Sequence, residues 1–128
     1  MKLGALFTVN AVIAAIFGIA LVIAPAPLLE AYAVTVNSGS ALVARLLGAA
    51  LVAFAVVSWV SRTAAQSEAR RAITLGFFVG DLIGTFVALQ GVLTGATNGL
   101  GWSTVVLYAL LAAGFGYFTF GKGTLART

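Results

Sequence analysis

Two ionisable side chains interrupt otherwise apolar stretches of this chain, Arg45 and Asp81. A sequestered carboxyl group can pass a proton, hold a cationic group, or form a structural pair with a guanidinium. Asn10 and Gln90 place two amides in similar surroundings, each able to donate and to accept. Ionisable groups within membrane spans cost roughly 2.5–3.5 kcal/mol and face a protein interior or an aqueous cavity. The expectation is therefore an intramembrane polar site made of Asn10, Arg45, Asp81 and Gln90. Its functional readings are a proton- or ion-coupled centre, or the polar end of a pocket for an amphipathic ligand. Its structural readings are an Arg45–Asp81 ion pair, or a protonated Asp81 bonded to Asn10 or to a backbone carbonyl. Arg45 has two further options, Glu30 and lipid phosphate. Asn10 and Gln90 also read as interhelical hydrogen bonds, worth roughly 1 kcal/mol each.

Much other chemistry is excluded. With no cysteine and no histidine in the sequence, disulfides, thiol catalysis, zinc sites and histidine-ligated haem are ruled out. No metal site, cofactor or catalytic residue is expected. Gly116-Tyr-Phe-Thr-Phe-Gly121-Lys122 matches the start of a phosphate loop, but Gly123 follows where Ser or Thr is required. Most of that match also falls in an apolar run with no strand before it. There is no G-x-S-x-G elbow and no paired acid dyad, so the chain reads as a non-enzyme.

The elements that position these residues follow from composition. The 128 residues are 62% hydrophobic and 8% charged, with a mean hydropathy of +1.13. Soluble domains carry roughly a quarter charged residues, so this chain lacks the polar groups to cover a soluble surface. Four apolar runs stand out: 3–24, 41–60, 72–93 and 102–120. A bilayer core of roughly 30 Å needs about 20 helical residues, and each run is long enough. Continuous rather than alternating apolarity favours helices over strands. The expected fold is an all-α membrane protein, a four transmembrane helix bundle in a single domain of residues 1–128. On this reading Arg45 is about 6 Å below the outer boundary and Asp81 about 14 Å from the inner one. A long arginine could partly close the axial gap of roughly 10 Å between them.

Pro25 and Pro27 end the first run, and residues 25–40 read as a polar-tipped connection. Orientation follows from the basic residues. Lys2, Arg62, Arg70, Arg71, Lys122 and Arg127 all fall on one side of a four-span chain, and the opposite loops have none. The positive-inside rule puts both termini in the cytoplasm, hence an N-in/C-in protein of a cell inner (plasma) membrane. The net charge of +4 is then a topology signal, and nucleic acid is not an expected partner. Lys2, the first run and Ala24-Pro25-Ala26 loosely imitate a secretory signal, but the run exceeds the usual 7–15 residue apolar region. It is expected to stay as the first helix.

Small residues supply the expected packing faces. Gly76, Gly80 and Gly84 recur every four residues with Ala88 after them, a small-xxx-small ladder that permits close helix approach. Gly48 plays the same part in the second run. Such faces serve either a homodimer or partner seam, or packing within one bundle. Trp59, Trp102, Tyr32 and Tyr117 sit near span ends and read as interfacial anchors. Val9–Ala14 and Val79–Gly84 resemble one another faintly, which fits either a parallel hairpin repeat or chance.

Several local patterns then combine. Asn10 lies in the first span; Ala24-Pro25-Ala26-Pro27-Leu28-Leu29 follows, with Tyr32 and Val34; Ala44-Arg45-Leu46-Leu47-Gly48-Ala49-Ala50 leads to Trp59 and Arg62. In these features the chain resembles a broad group of small bacterial four-helix membrane proteins of the DUF4345-like kind. The resemblance implies a fold and a membrane location and assigns no activity. Small multidrug exporters share the length and helix count but carry an acid in the first helix, which is absent here. The leading expectation is a non-catalytic accessory or scaffold subunit, associating with itself or a larger membrane complex through small-residue faces. The alternative is a small transporter or hydrophobic-ligand or lipid-binding protein using Asp81, Arg45 and Asn10. In both, the lipid bilayer is the constant partner.

Overall fold

In a computed structural model of the chain, residues 2–121 are described, and among them the fold is entirely helical. Lys122 and Arg127, which enter the orientation argument, lie outside the described residues. Five helices follow in order: α1 Leu3–Ile23, α2 Pro25–Ala31, α3 Ser38–Ser61, α4 Glu68–Leu93 and α5 Gly101–Phe120. All but α2 are long and apolar enough to cross a membrane.

The helix ends explain where the apolar runs misplace the boundaries. Pro25 stops α1 but also opens α2, because a first-turn proline gives up no hydrogen bond and is preset to helical φ. The connection over 25–40 thus contains an unforeseen helix. It ends in a Schellman motif: Ala33 donates to Glu30 O and Val34 to Leu29 O, both at 2.9 Å, with Ala33 at φ 59°. The second span begins at Ser38 rather than 41, since Asn37 and Ser40 form a capping box. Asn37 Oδ1 accepts from Ser40 N at 2.9 Å and Ser40 Oγ accepts from Asn37 N at 3.0 Å. The third begins at Glu68 rather than 72, capped by Ser67 Oγ, which accepts from Arg70 N at 3.1 Å. Its charged first turns continue the helix beyond the apolar run. At the far end of α4, Gly95 takes φ +79° and closes a second Schellman motif through Ala96 N to Gly91 O at 2.9 Å.

The long helices pair as two antiparallel hairpins, α1 with α3 and α4 with α5. In the first, Gly18 and Gly48 meet backbone to backbone. A Cβ on Gly48 would stand 2.7 Å from Gly18 O, so neither position admits a side chain. In the second, the Tyr108 ring covers Gly84 and the Phe78 ring covers Gly116.

The hairpins join at one end. There Leu3, Leu6 and Phe7 of α1 pack with Leu111, Phe115 and Phe118 of α5, and Phe77 of α4 stacks on Phe115 at 5.2 Å. Arg70, 5% exposed, locks the same end by donating from Nε to Ser61 O at 3.1 Å and from Nη2 to Arg62 O at 3.3 Å. At the other end α2 ties back to the second hairpin. Asn98 Nδ2 donates to Ala31 O at 2.9 Å, and Thr104 Oγ1 donates to Tyr32 OH at 2.9 Å. Between these ties α3 and α4 do not pack along their lengths; Phe54 meets Phe77 edge to face at 5.8 Å.

Candidate functional site

A cavity of about 770 Å³ lies between the two hairpins. Ile73, Phe77, Leu107 and Leu111, at the edge of the phenylalanine cluster, form its floor, and α2 with Tyr32, Thr97 and Thr104 forms its roof. Its open side is the gap between α3 and α4, where exposed Leu47 and Val57 face exposed Gly76, Gly80 and Val87. Helix α4 explains why such a space exists. Its buried residues are Arg70, Thr74 and Asp81, all polar and all on one face; Ile73, Phe77 and Phe78 pack only at the phenylalanine end, while Leu75, Val79, Leu82, Ile83 and Phe86 are exposed. Gly76 and Gly80 add no bulk to the inner side. A helix that turns polar and small residues inward cannot fill the interior, and a void results.

Asp81 sits at the middle of this wall, thirteen residues, or about 20 Å, from the start of α4. It is 9% exposed and is the one charged residue lining the cavity. Thr85 Oγ1 bonds to its backbone carbonyl at 2.8 Å, but its carboxyl has no hydrogen-bond or ion-pair partner among the described residues. Two buried side-chain atoms there lack any partner, Asp81 Oδ2 and Thr97 Oγ1, and both residues line this cavity. Native interiors leave few buried polar atoms unpaired, and both of these belong to residues of one cavity. Tyr108, held over Gly84 one turn beyond Asp81, brings an aromatic face and a hydroxyl to the same wall.

The four expected polar residues are thus not gathered in one place. Asn10 and Asp81 both line the cavity, but Asn10 is bonded across to α3: its Nδ2 donates to Ser58 Oγ at 2.8 Å. Ser58, fully buried, is a participant that the sequence reading did not single out. Its helical spacing from Ala44, Gly48 and Ala55 on the face of α3 that meets α1 was the available signal.

Arg45 does not point inward and forms no ion pair with Asp81; it is exposed on α3. The close approach of α1 selects a narrow stripe through Ala44 and Gly48, and at 100° per residue Arg45 falls beyond its edge. Gln90 is likewise exposed and outside the cavity lining.

The glycine ladder also divides. Gly48 and Gly84 lie against neighbours, but a Cβ on Gly76 or Gly80 would meet nothing within 4 Å. They are cavity wall rather than helix contact, because α5 crosses α4 at Gly84 and Phe78 and leaves the intervening face uncovered. Trp59, Trp102 and Tyr117 are exposed near helix ends, with the Arg62 guanidinium stacked 3.6 Å over the Trp59 ring. Tyr32 departs from this group. Its hydroxyl is engaged by Thr104 and Ser103, which turns it into the cavity roof. No protein-family model, curated protein or solved structure matches this chain to a significant degree.

Proposed function

We propose that this protein is a non-catalytic, multi-pass inner-membrane protein that holds a hydrophobic ligand between its two helical hairpins. The observation that carries this reading is the cavity of about 770 Å³, apolar over nearly all of its lining and open sideways between α3 and α4. Small-molecule sites typically span about 300–1,000 Å³ with predominantly apolar walls and a few fixed polar groups, and Asp81, Tyr108 and Thr97 are those groups here. A lateral gap suits a molecule that reaches the site from lipid. The positive charges support an orientation with both termini in the cytoplasm: Lys2, Arg62, Arg70 and Arg71 all cluster at the phenylalanine end.

Purification in mild detergent followed by native mass spectrometry tests this reading. The wild type retains a hydrophobic molecule, and Gly80→Leu, which projects into free space, folds normally and loses it. Absence of any bound molecule in the wild type, or equal retention by Gly80→Leu, overturns the proposal.

Gly76 and Gly80 favour a second reading, the accessory or scaffold subunit. They leave a smooth strip on α4 with no neighbour, against which a helix of a second copy or of a larger complex would pack. A stoichiometric protein in place of a small molecule in the same spectra supports it.

A further inference from the structure

We infer that the cavity selects lipophilic amines, with a protonated ammonium group seated on Asp81 and the apolar body lying along α4. The inference rests on the ligand-binding reading above and names the chemistry of its ligand.

The argument begins with charge. Asp81 carries the one carboxyl group among the described residues that line the cavity, and that carboxyl makes no hydrogen bond or ion pair among them. The basic residues among those described lie elsewhere. Arg45 is exposed on α3, while Arg62 and Arg70 are engaged with backbone carbonyls at the phenylalanine end. A carboxylate in a mostly apolar cavity is costly, and no basic side chain among the described residues pairs with it. A ligand that brings a positive charge and several N–H donors does so, since charge-assisted hydrogen bonds are about twice as strong as neutral ones.

The surroundings suit an ammonium in particular. Aromatic rings of Phe17, Phe54, Phe77 and Tyr108 line the same space, and ring faces attract organic cations. A cationic head with no apolar body would leave the remaining walls unfilled. The lining extends from Ile73 to Gly91 along α4, so there is room for such a body on either side of Asp81. Gly76 and Gly80, five residues and one residue before Asp81, put no side chain of their own between the α3–α4 gap and the carboxyl.

Photolabelling in phosphatidylcholine proteoliposomes tests the inference. Two probes share a long-chain alkyl diazirine and differ only in ending in a primary amine or a hydroxyl, and both are present at equal mole fraction. Adducts are mapped by peptide mass spectrometry. Both probes are expected at Phe54, Val57 and Val87, with the amine ahead by about tenfold. Excess unlabelled alkylamine removes the amine adducts and excess alkanol does not. Asp81→Asn brings the amine down to the level of the alcohol, and Asp81→Glu keeps the preference. Equal labelling by the two probes in the wild type, or an amine preference that persists in Asp81→Asn, overturns the amine assignment and leaves the cavity reading standing. Adducts confined to the outer helix faces for both probes overturn the cavity reading itself. The wild-type ratio and the competition decide the matter even where Asp81→Asn fails to fold.

Discussion

Asn10 donates from Nδ2 to Ser58 Oγ at 2.8 Å across the α1–α3 seam, and makes no hydrogen bond to Asp81, whose Oδ2 is buried without a partner. Of the two partners read for Asn10 in the sequence, Asp81 and a group on a neighbouring helix, the bond is made to the neighbouring helix of its own hairpin. The carboxyl is left to the cavity.

The bond makes a measurable contribution to stability. Interhelical hydrogen bonds in membranes average about 0.6 kcal/mol and reach about 1.7 kcal/mol. Both partners are buried, so Ser58→Ala also leaves an amide group unsatisfied. A double-mutant cycle of Asn10→Ala and Ser58→Ala, followed by thermal unfolding in detergent, should give a coupling of about 0.6 kcal/mol or more. Strict additivity would show that the two side chains do not interact.

Gly48 and Gly80 should respond oppositely to the same substitution. A side chain at Gly48 collides with the backbone at Gly18 and with Leu21, whereas one at Gly80 enters open space. Gly48→Leu is expected to lose about 1–3 kcal/mol, as overpacked sites do, and Gly80→Leu to stay within about 0.5 kcal/mol of the wild type. Comparable losses at both positions would mean that α4 packs on something through its glycine strip.

Ala33 offers a gain. It occupies the left-handed region at φ 59°, which costs a non-glycine residue roughly 1–2 kcal/mol, while the second Schellman motif uses Gly95. Ala33→Gly should raise stability by about 0.5–1 kcal/mol. A lowered melting temperature would contradict that geometry.

Arg70 should resist conservative replacement. Its guanidinium reaches Ser61 O and Arg62 O together and lies 5.6 Å over the Phe7 ring, a forked and planar arrangement that an ammonium cannot reproduce. Arg70→Lys is expected to cost about 1.5–3 kcal/mol, the range for hydrogen bonds to charged groups, read by chemical unfolding. A neutral outcome would show that the clamp contributes nothing to joining the hairpins.

Orientation is open to direct labelling. Ser38, the first residue of α3, and Gln66, in the α3–α4 connection, are both exposed. Cysteines at the two positions should react from opposite faces of the membrane, position 38 from outside the cytoplasm. Reaction of both from one face would exclude the four-span topology.

Much of the fold was legible in the residues because apolar length is a one-dimensional property. Four uninterrupted runs, each near the thickness of a bilayer core, specify four helices whatever surrounds them. Caps were also written locally, in Asn37 with Ser40 and in Ser67, although a search for apolar runs passes over them because their side chains are polar. What the sequence could not express is rotation of each helix about its axis. A shift of less than one turn decides whether Arg45 faces Asp81 or lipid, and whether Gly80 meets a helix or a void. That angle is set by which neighbour comes closest. The Gly18–Gly48 approach turns Arg45 outward, and Tyr108 over Gly84 leaves Gly76 and Gly80 uncovered. The cavity belongs wholly to the tertiary structure, because it arises from two hairpins that join at their ends and diverge between, and no single segment contains that relationship.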